Sequence, residues 1–329
     1  MTTIPKFAPL RRSSGQDFRE NYSRLRAFDA RIICIPQANS KPLQRKERKK
    51  GMSLHRAQGW NNQSSMSFIA ASYNVLASAY IQRAWYRRTP ALVLDPAWRV
   101  PALVQRICKL NADLFCLQEV EPETFVALRT FLGERGYGGE YARKLAGRPE
   151  GLAVFYRRAR FDGIGSRIIA YADGAGVVQD TGYIAQVAML RNGDKTLGVI
   201  NTHLTWDPPN TGREVRRGLR QVQQCLTEYQ SRAADANAWI ISGDFNVTAE
   251  SEIVAVVLQT GLQFAHHTMS DVSSCNIGGS ARLIDYLFYS RGLYAEASVV
   301  RRIDGQTILP SAEEPSDHIA IMARFDWQD

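Results

Sequence analysis

The chain has 329 residues, of which 45% are hydrophobic and 22% are charged, as is usual for a globular protein. Its formal charge of +9 is unevenly spread, because residues 1–60 carry 14 Lys or Arg against 4 Asp or Glu, whereas the remainder carries 27 against 28. The basicity therefore belongs to an N-terminal segment, and the remainder is too close to neutral for its charge to indicate nucleic-acid binding.

Cysteine usage and hydropathy bound the class of protein further. The five cysteines form no CxxC or Cys/His metal spacing, and their odd number and scattered placement favour a reducing, cytoplasmic location. The longest apolar runs fall far short of the ~20 residues that span a bilayer, so we expect no membrane insertion. No signal-peptide pattern opens the chain, which argues against secretion.

The N-terminal segment, residues 1–65, is polar, basic and rich in Ser, Gln and Asn, a composition typical of disorder. We interpret it as a mostly disordered leader that contacts RNA through its charge. One alternative is an organellar transit peptide, against which three acidic residues near its start argue. Another is an extension upstream of a natural start at Met52 or Met66.

From residue 66 onward the pattern changes to apolar strands separated by amphipathic helices. The predicted strands are 67–74, 113–119, 152–157, 183–190, 197–204, 238–244, 283–290 and 318–325. The predicted helices are 99–110, 122–136, 213–234 and 251–261. Most of these strands are too apolar to have a wet face, so residues 66–329 are predicted to form one α/β catalytic domain with covered sheets.

Polar side chains recur where these strands end or begin, as in "SGDFN", which follows the apolar run "AWII". A helix cap explains any one such position, but the arrangement occurs six times. Ligands bind at strand ends in layered α/β folds, and carboxylate, amide and imidazole groups suit a hard cation and a phosphate. The candidate residues are Asn74, Glu119, His203, Asp244, Asn246, Asp285, Asp317 and His318.

Each candidate also has an ordinary structural interpretation when taken singly. Glu119 could begin the following helix, Asp285 could be the buried partner of a base, and His203 could be a hydrogen-bonded core imidazole. These interpretations do not account for the recurrence of such residues along the chain.

The ordered motifs "SYNVLA", "LQEVE", "NTHLTWDP", "GDFN", "IDYLFYS" and "PSDHIAI" resemble the endonuclease/exonuclease/phosphatase superfamily, which includes deoxyribonuclease I. Within it, the chain is most similar to the deadenylase, nocturnin and Angel branch, over about residues 67–325. The resemblance implies a four-layer α/β sandwich, with two mixed sheets face to face, helices outside and an active site at one rim.

The resemblance also implies roles for the candidates. Glu119 matches the principal Mg²⁺ ligand, with Mn²⁺ as a possible substitute ion, and Asn74 and Asp317 match residues that complete or support the metal site. Asp244 matches the carboxylate that orients or deprotonates the attacking water, and Asn246 the amide that holds a phosphate oxygen.

Three further candidates match family residues that lie near the substrate phosphate. His318 corresponds to the phosphate-contacting histidine, Asp285 to the carboxylate that orients it, and His203 to another imidazole near the phosphate. A carboxylate behind an imidazole fixes its tautomer, so we expect Asp285 and His318 to act as a unit.

Substrate contacts are predicted at Lys144, Arg148 and Trp206. The alternatives are a solvated charged loop for Lys144 and Arg148 and an ordinary surface loop for the segment that begins with Trp206. Here Glu150 stands where the branch usually has Asp. The aromatic that stacks on a base before the "IDY" strand is absent from residues 270–285, and such stacking is worth ~1–3 kcal/mol per base. We therefore expect no adenine preference.

The sequence thus predicts a divalent-metal-dependent phosphoesterase that uses direct water attack. The chain is expected to be a nuclease or a nucleotide phosphodiesterase, with a nucleic acid 3′ end or a nucleotide as its substrate. The alternatives are a small-molecule phosphatase acting on a nucleotide cofactor, inositol phosphate or phospholipid headgroup, and a non-catalytic RNA-binding or scaffold module.

Overall fold

A computed structural model describes residues 67–174, 179–269 and 271–328. The predicted leader, residues 1–65, lies outside the described residues, so its disorder stays a prediction. No helix within the described ranges is both long and apolar enough to cross a membrane.

Fourteen strands and five α-helices are assigned within these ranges. The strands are β1 (Phe68–Asn74), β2 (Leu114–Val120), β3 (Tyr137–Arg143), β4 (Gly151–Arg157), β5 (Asp162–Ala170), β6 (Ile184–Asn192), β7 (Lys195–His203), β8 (Ala238–Asp244), β9 (Gln263–Phe264), β10 (Cys275–Ile277), β11 (Ser280–Arg282), β12 (Asp285–Tyr289), β13 (Leu293–Val299) and β14 (Ile321–Trp327). The helices are α1 (Ala91–Leu94), α2 (Pro96–Leu110), α3 (Pro122–Gly133), α4 (Arg217–Ser231) and α5 (Glu252–Gln259).

The strands form two six-stranded sheets and a small hairpin. The first sheet has the order β13-β14-β1-β2-β4-β3 and the second the order β5-β6-β7-β8-β12-β9, while β10 pairs with β11. Each large sheet contains one parallel pair, β1 with β2 and β7 with β8, among antiparallel neighbours. Both sheets are therefore mixed.

Alternation along the strands explains the layering, because successive side chains of a strand point to opposite faces. In β1, Phe68 and Ala70 belong to the core between the sheets, whereas Ala71 and Tyr73 face the helices. The inter-sheet core is lined by residues of both sheets, among them Phe68, Cys116, Val154, Leu190, Val199, Ile240 and Leu287.

Helices cover the outer face of each sheet. Leu103 and Ile107 of α2 and Leu128 of α3 pack on the first sheet, and Val222 of α4 and Val257 of α5 pack on the second. The molecule is thus a four-layer α/β/β/α sandwich, which confirms the predicted fold class.

The close approach of β7 and β8 requires a glycine at the end of β8. Gly243 has φ +147°, and a Cβ built there would lie far inside van der Waals contact of the Thr202 carbonyl oxygen. This backbone contact sets the position of the next residue, Asp244, against His203, its neighbour across the parallel pair.

Candidate active site

The polar ends of four strands meet at one rim of the sandwich. Asn74 ends β1 and Glu119 lies near the end of β2, its parallel neighbour, while His203 and Asp244 end the parallel pair β7 and β8. The two pairs belong to different sheets, yet the Asn74 amide nitrogen lies 3.0 Å from the Asp244 carboxylate. The rim is therefore shared by both sheets.

Antiparallel strands bring the remaining candidates to the same rim. Asp285 begins β12 directly opposite Asp244, so the start of β12 meets the end of β8. Asp317 and His318 precede β14, which runs antiparallel to β1. The hydroxyl of Ser316 donates to the Asn74 carbonyl at 2.7 Å and fixes this segment beside the end of β1.

The Asn74 side chain connects two carboxylates. Its Nδ2 donates to Glu119 Oε1 and to Asp244 Oδ2, both at 3.0 Å, and its Oδ1 accepts the N–H of Leu76 at 3.0 Å. The amide therefore meets the carboxylates through its nitrogen and holds them on either side of itself.

Glu119 occupies an unusual backbone position. Its φ of +58° is in the left-handed region, at an irregularity in the pairing of β2 with β4. Such conformations are uncommon for non-glycine residues and cluster at functional sites. Burial and the nearby Asp317 raise the pKa of Glu119, although the hydrogen bonds from Asn74 and the Ala77 N–H act in the opposite direction. A bound cation would relieve this repulsion.

Asp285 and His318 form a buried pair. His318 Nδ1 donates to Asp285 Oδ2 at 2.8 Å, and His318 Nε2 lies 3.7 Å from Asp244 Oδ2. Burial favours the neutral imidazole, but Asp285 and Asp244 overcome it and raise the pKa of His318 well above its usual value. His318 is therefore a cation at neutral pH.

His203 faces the same carboxylate oxygen in a different state. Its Nε2 lies 3.7 Å from Asp244 Oδ2, while its Nδ1 lies 3.3 Å from the Lys144 ammonium. Burial and the Lys144 charge lower the pKa of His203 well below its usual value, so this imidazole is neutral.

Asp244 is poised to exchange a proton near neutrality. Burial and the adjacent Asp285 raise its pKa to about 7, against the effects of His318 and Asn74. Its Oδ1 accepts the N–H of Asn246 at 2.8 Å. The Asn246 residue has φ +56°, and its side-chain amide donates to the Leu204 carbonyl.

The residues at the rim fit a hard divalent cation. Carboxylate oxygens are the ligands such ions prefer; Asp244 and Asp317 are buried here and Glu119 is partly buried. Asp285 Oδ1 is buried without a hydrogen-bond partner among the described residues, and ligand atoms of Asp244, Asp285 and His318 lie within 4.8 Å of one another. The His318 imidazolium supplies the positive charge beside Asp244 and Asp285, which leaves Glu119 and Asp317 as the carboxylates for a cation.

The residues predicted to contact substrate lie in three different settings. The Lys144 side chain is fully buried, 2.8 Å from Glu150 Oε1. Arg148 lies over the Tyr183 ring at 4.8 Å and donates to a loop carbonyl. Trp206 is 56% exposed and lines a groove of about 840 Å³. Asn246, Trp85, Tyr86, Arg88, Ile277 and Leu309 also line this groove.

Two side chains near the candidate site residues were not predicted from the sequence. The Tyr86 hydroxyl donates to Asp317 Oδ2 at 2.7 Å, and Arg99 of α2 donates to the Val75 carbonyl at 2.9 Å and to the Ser78 hydroxyl. Tyr86 lies in a short loop stretch of mixed composition and Arg99 in an amphipathic helix, so neither stands out in the sequence.

The chain is similar in sequence to proteins of known family. Residues 71–318 match the model of the Endonuclease/Exonuclease/phosphatase family. A probable CCR4-Not complex 3′-5′-exoribonuclease subunit Ccr4 of Encephalitozoon cuniculi is 26% identical over 77% of this chain and 61% of that protein. The human 2′,5′-phosphodiesterase 12 is 25% identical over 78% of this chain and 51% of its own length. The chain thus spans between half and two thirds of these curated relatives.

Solved structures share the fold. ANGEL2, a 2′,3′-cyclic phosphatase crystallised with adenosine-2′,3′-vanadate, superposes with a TM-score of 0.68 at 22% identity, covering 79% of this chain and 95% of that one. The human Nocturnin catalytic domain, with a bound sulfate, gives 0.60 at 21% identity, covering 81% and 95%. The family match covers most of the chain and the rim carries the residues that the motifs predicted, so the chain belongs to the Endonuclease/Exonuclease/phosphatase family.

Proposed function

We propose that the chain hydrolyses phosphoester bonds at the 2′ or 3′ oxygen of a ribonucleotide, in RNA or a nucleotide, by direct attack of water. The observation that supports the reaction is one carboxylate oxygen, Asp244 Oδ2, which faces a cationic imidazole at His318 and a neutral one at His203, both at 3.7 Å. This arrangement places a proton acceptor beside two groups that can stabilise a charged phosphate.

A divalent cation is part of the proposal. Glu119 and Asp317 would hold Mg²⁺ or Mn²⁺, with Asn74 fixing the Glu119 carboxylate through its amide nitrogen. When bound, such an ion neutralises charge on the phosphate oxygens. Tyr86 orients the other carboxylate by its hydrogen bond to Asp317.

The protein's own residues supply the proton transfers and orientation. Asp244 accepts a proton from the attacking water, a task that suits a carboxylate with a pKa of about 7. His318, charged and held by Asp285, stabilises the negative charge that develops on the phosphate. Asn246, held by the Leu204 carbonyl beside Asp244, is positioned to donate to a phosphate oxygen.

The ribonucleotide preference rests on the relatives and on the groove. The Ccr4 relative is named a 3′-5′-exoribonuclease, the human relative a 2′,5′-phosphodiesterase and ANGEL2 a 2′,3′-cyclic phosphatase. All three names describe hydrolysis of a phosphate ester at a 2′ or 3′ oxygen. The exposed Trp206 offers a face for base stacking in a groove that also reaches Asn246. A cytoplasmic location remains a prediction from the cysteines.

A substrate panel tests this proposal. Short RNA with a 3′-hydroxyl, RNA with a 2′,3′-cyclic phosphate, 2′,5′-linked oligonucleotides, DNA, NADP(H) and inositol phosphates are incubated with Mg²⁺ or with EDTA. We expect Mg²⁺-dependent hydrolysis of at least one ribonucleotide substrate and its loss in EDTA.

Matched variants show whether turnover belongs to the site. Asp244→Asn removes the proton acceptor with little change in shape and is expected to lower kcat about 10²–10⁴-fold. Asp194→Asn makes the same change at the exposed β6–β7 turn, at the other end of β7 from His203, and should leave kcat unchanged. Hydrolysis of only DNA or inositol phosphates would refute the ribonucleotide proposal, and full activity of Asp244→Asn would refute the site.

A further inference from the structure

The ammonium of Lys144 is enclosed in a way that fixes where its protons go. Its side chain is fully buried, so water does not satisfy its three N–H donors. An unsatisfied donor in the interior destabilises the folded protein, and more so when the donor is charged. The donors must therefore find acceptors within the protein.

Three acceptors surround the ammonium. Glu150 Oε1 lies 2.8 Å from Lys144 Nζ, the centroid of the Tyr183 ring lies 3.5 Å away, and His203 Nδ1 lies 3.3 Å away. A carboxylate and an aromatic face accept one N–H each. The third donor is directed at the His203 ring nitrogen.

This contact determines the tautomer of His203. A neutral imidazole has one donor and one acceptor nitrogen, and an ammonium has no acceptor. A proton on Nδ1 would face the Lys144 donor, so Nδ1 must offer its lone pair. The proton is then on Nε2, the nitrogen that faces Asp244 Oδ2 at 3.7 Å.

We propose that Lys144 is a positioning residue that holds His203 as the neutral tautomer with its proton on Nε2. His203 is then a hydrogen-bond donor toward the phosphate side of the site and cannot act as the general base. This role differs from the substrate contact expected of Lys144 from the sequence. The tautomer follows from the buried geometry alone, and only its use on a phosphate rests on the proposed function.

Lys144 is itself held by Glu150. Glu150 Oε1 accepts the Tyr80 hydroxyl at 3.1 Å as well as the Lys144 ammonium. Glu150, Lys144 and His203 therefore form a chain of contacts that ends at Asp244, and changing the middle member alone would leave a buried carboxylate without its cation. Variants must change Lys144 and Glu150 together.

Two double variants separate a donor from a structural filler. In Lys144→Gln/Glu150→Gln the new amide still donates N–H to Nδ1, whereas in Lys144→Met/Glu150→Gln a side chain of comparable length cannot. Both lack the buried ion pair, so their difference isolates the hydrogen bond. Circular dichroism and thermal melting identify any variant that fails to fold.

Histidine-selective ¹⁵N NMR on the full chain reads the tautomer directly. The chain has five histidines, and His203 is identified by the signals lost in His203→Asn. We expect a protonated Nε2 and an unprotonated Nδ1 in the wild type and in the Gln variant, and a proton on Nδ1, as tautomer or imidazolium, in the Met variant. A protonated Nδ1 in the wild type, or a Met variant with wild-type ¹⁵N shifts, would overturn the proposal.

Kinetics on the ribonucleotide substrate supply the second readout. The Met variant should have a kcat about 10–100-fold below that of the Gln variant, because outer partners of site residues have effects of this size. Equal kcat values for the two would refute the positioning role. If the wild type hydrolyses nothing, the proposed function fails, while the NMR experiment still decides the tautomer.

Discussion

At the scale of single residues, two histidines face one carboxylate oxygen in opposite charge states. Burial lowers the pKa of both imidazoles, but the outcome depends on the neighbour of the second nitrogen. Asp285 accepts from His318 and raises its pKa, whereas the Lys144 ammonium lowers that of His203. The same side chain therefore supplies a cation at one position and a neutral donor at the other.

The Asp285–His318 pair gives the first residue-scale prediction. Because Asp285 stabilises the imidazolium through the 2.8 Å contact, Asp285→Asn and His318→Gln should each lower kcat by about 10²–10³-fold. The double variant should be no slower than the slower single variant, since either change removes the same unit. Single-turnover kinetics on the best ribonucleotide substrate measure all three.

Additive losses would contradict this coupling. Independent roles would multiply the two effects and make the double variant about 10⁴-fold slower or worse. Asp194→Asn, far along β7 from the rim, serves again as the unaffected control.

The structure brings the candidate residues of the sequence to one rim, but the sequence did not predict all of their contacts. Asp244, Asp285 and His318 stand out because ionisable groups at strand ends are costly without a purpose. That Asn74 meets two carboxylates through its nitrogen depends on the separation of the two sheets, which local sequence does not encode. Tyr86 approaches Asp317 across 231 positions and could not be found from spacing.

At the scale of elements, long buried strands were predicted, whereas exposed or glycine-rich strands were missed. β8 is buried throughout and reads as an apolar run, whereas β5 is almost wholly exposed and has no alternation. β3 contains two glycines and follows a helix closely, so its sequence looks like a loop. β1, β2, β7, β8 and β12, which bring Asn74, Glu119, His203, Asp244 and Asp285 to the rim, were all predicted.

A histidine that joins the edges of the two sheets gives an element-scale prediction. His266 follows β9 and is buried, and its Nε2 lies 3.4 Å from the Ser298 carbonyl of β13. Burial lowers its pKa from 6.5 to about 4. The unfolded chain therefore binds a proton between pH 6.5 and pH 4 that the folded protein does not, so His266 should make stability fall as the pH falls through this window.

Urea denaturation at pH 7 and pH 4.5 tests this. His266→Gln keeps a donor for Ser298 and does not titrate, so its loss of stability between the two pH values should be smaller than that of the wild type by about 2–3 kcal/mol. His267→Gln, at the exposed neighbour, should behave as the wild type. An unchanged pH dependence in His266→Gln would contradict the prediction.

At the scale of the whole molecule, the resemblance in the motifs gave the right architecture. The match to the Endonuclease/Exonuclease/phosphatase family confirms the predicted family. Periodicity alone predicted only an α/β domain, because strand order arises from pairings between distant segments. The face-to-face packing follows from strands with two apolar faces, one toward the helices and one toward the second sheet.

The uneven charge of the chain gives the whole-molecule prediction. Residues 1–60 carry a net charge of +10 and the remainder −1, so the leader should supply most salt-sensitive attraction to RNA. A chain shortened to begin at Met66 should lose most of its retention on RNA at low salt, yet keep kcat on a short substrate within about twofold. Simultaneous loss of retention and turnover would show that the leader belongs to the site.

The Asn74 bridge ties the chemistry to the thickness of the sandwich. One amide reaches a carboxylate of the first sheet and a carboxylate of the second, so the separation of these two carboxylates depends on how closely the apolar core lets the sheets pack. Grafting the rim loops onto another scaffold would transfer the residues of the site without the spacing that the two packed sheets impose on them. Enlarging a side chain deep in that core, far from any reacting atom, would push the two halves of the reaction apart.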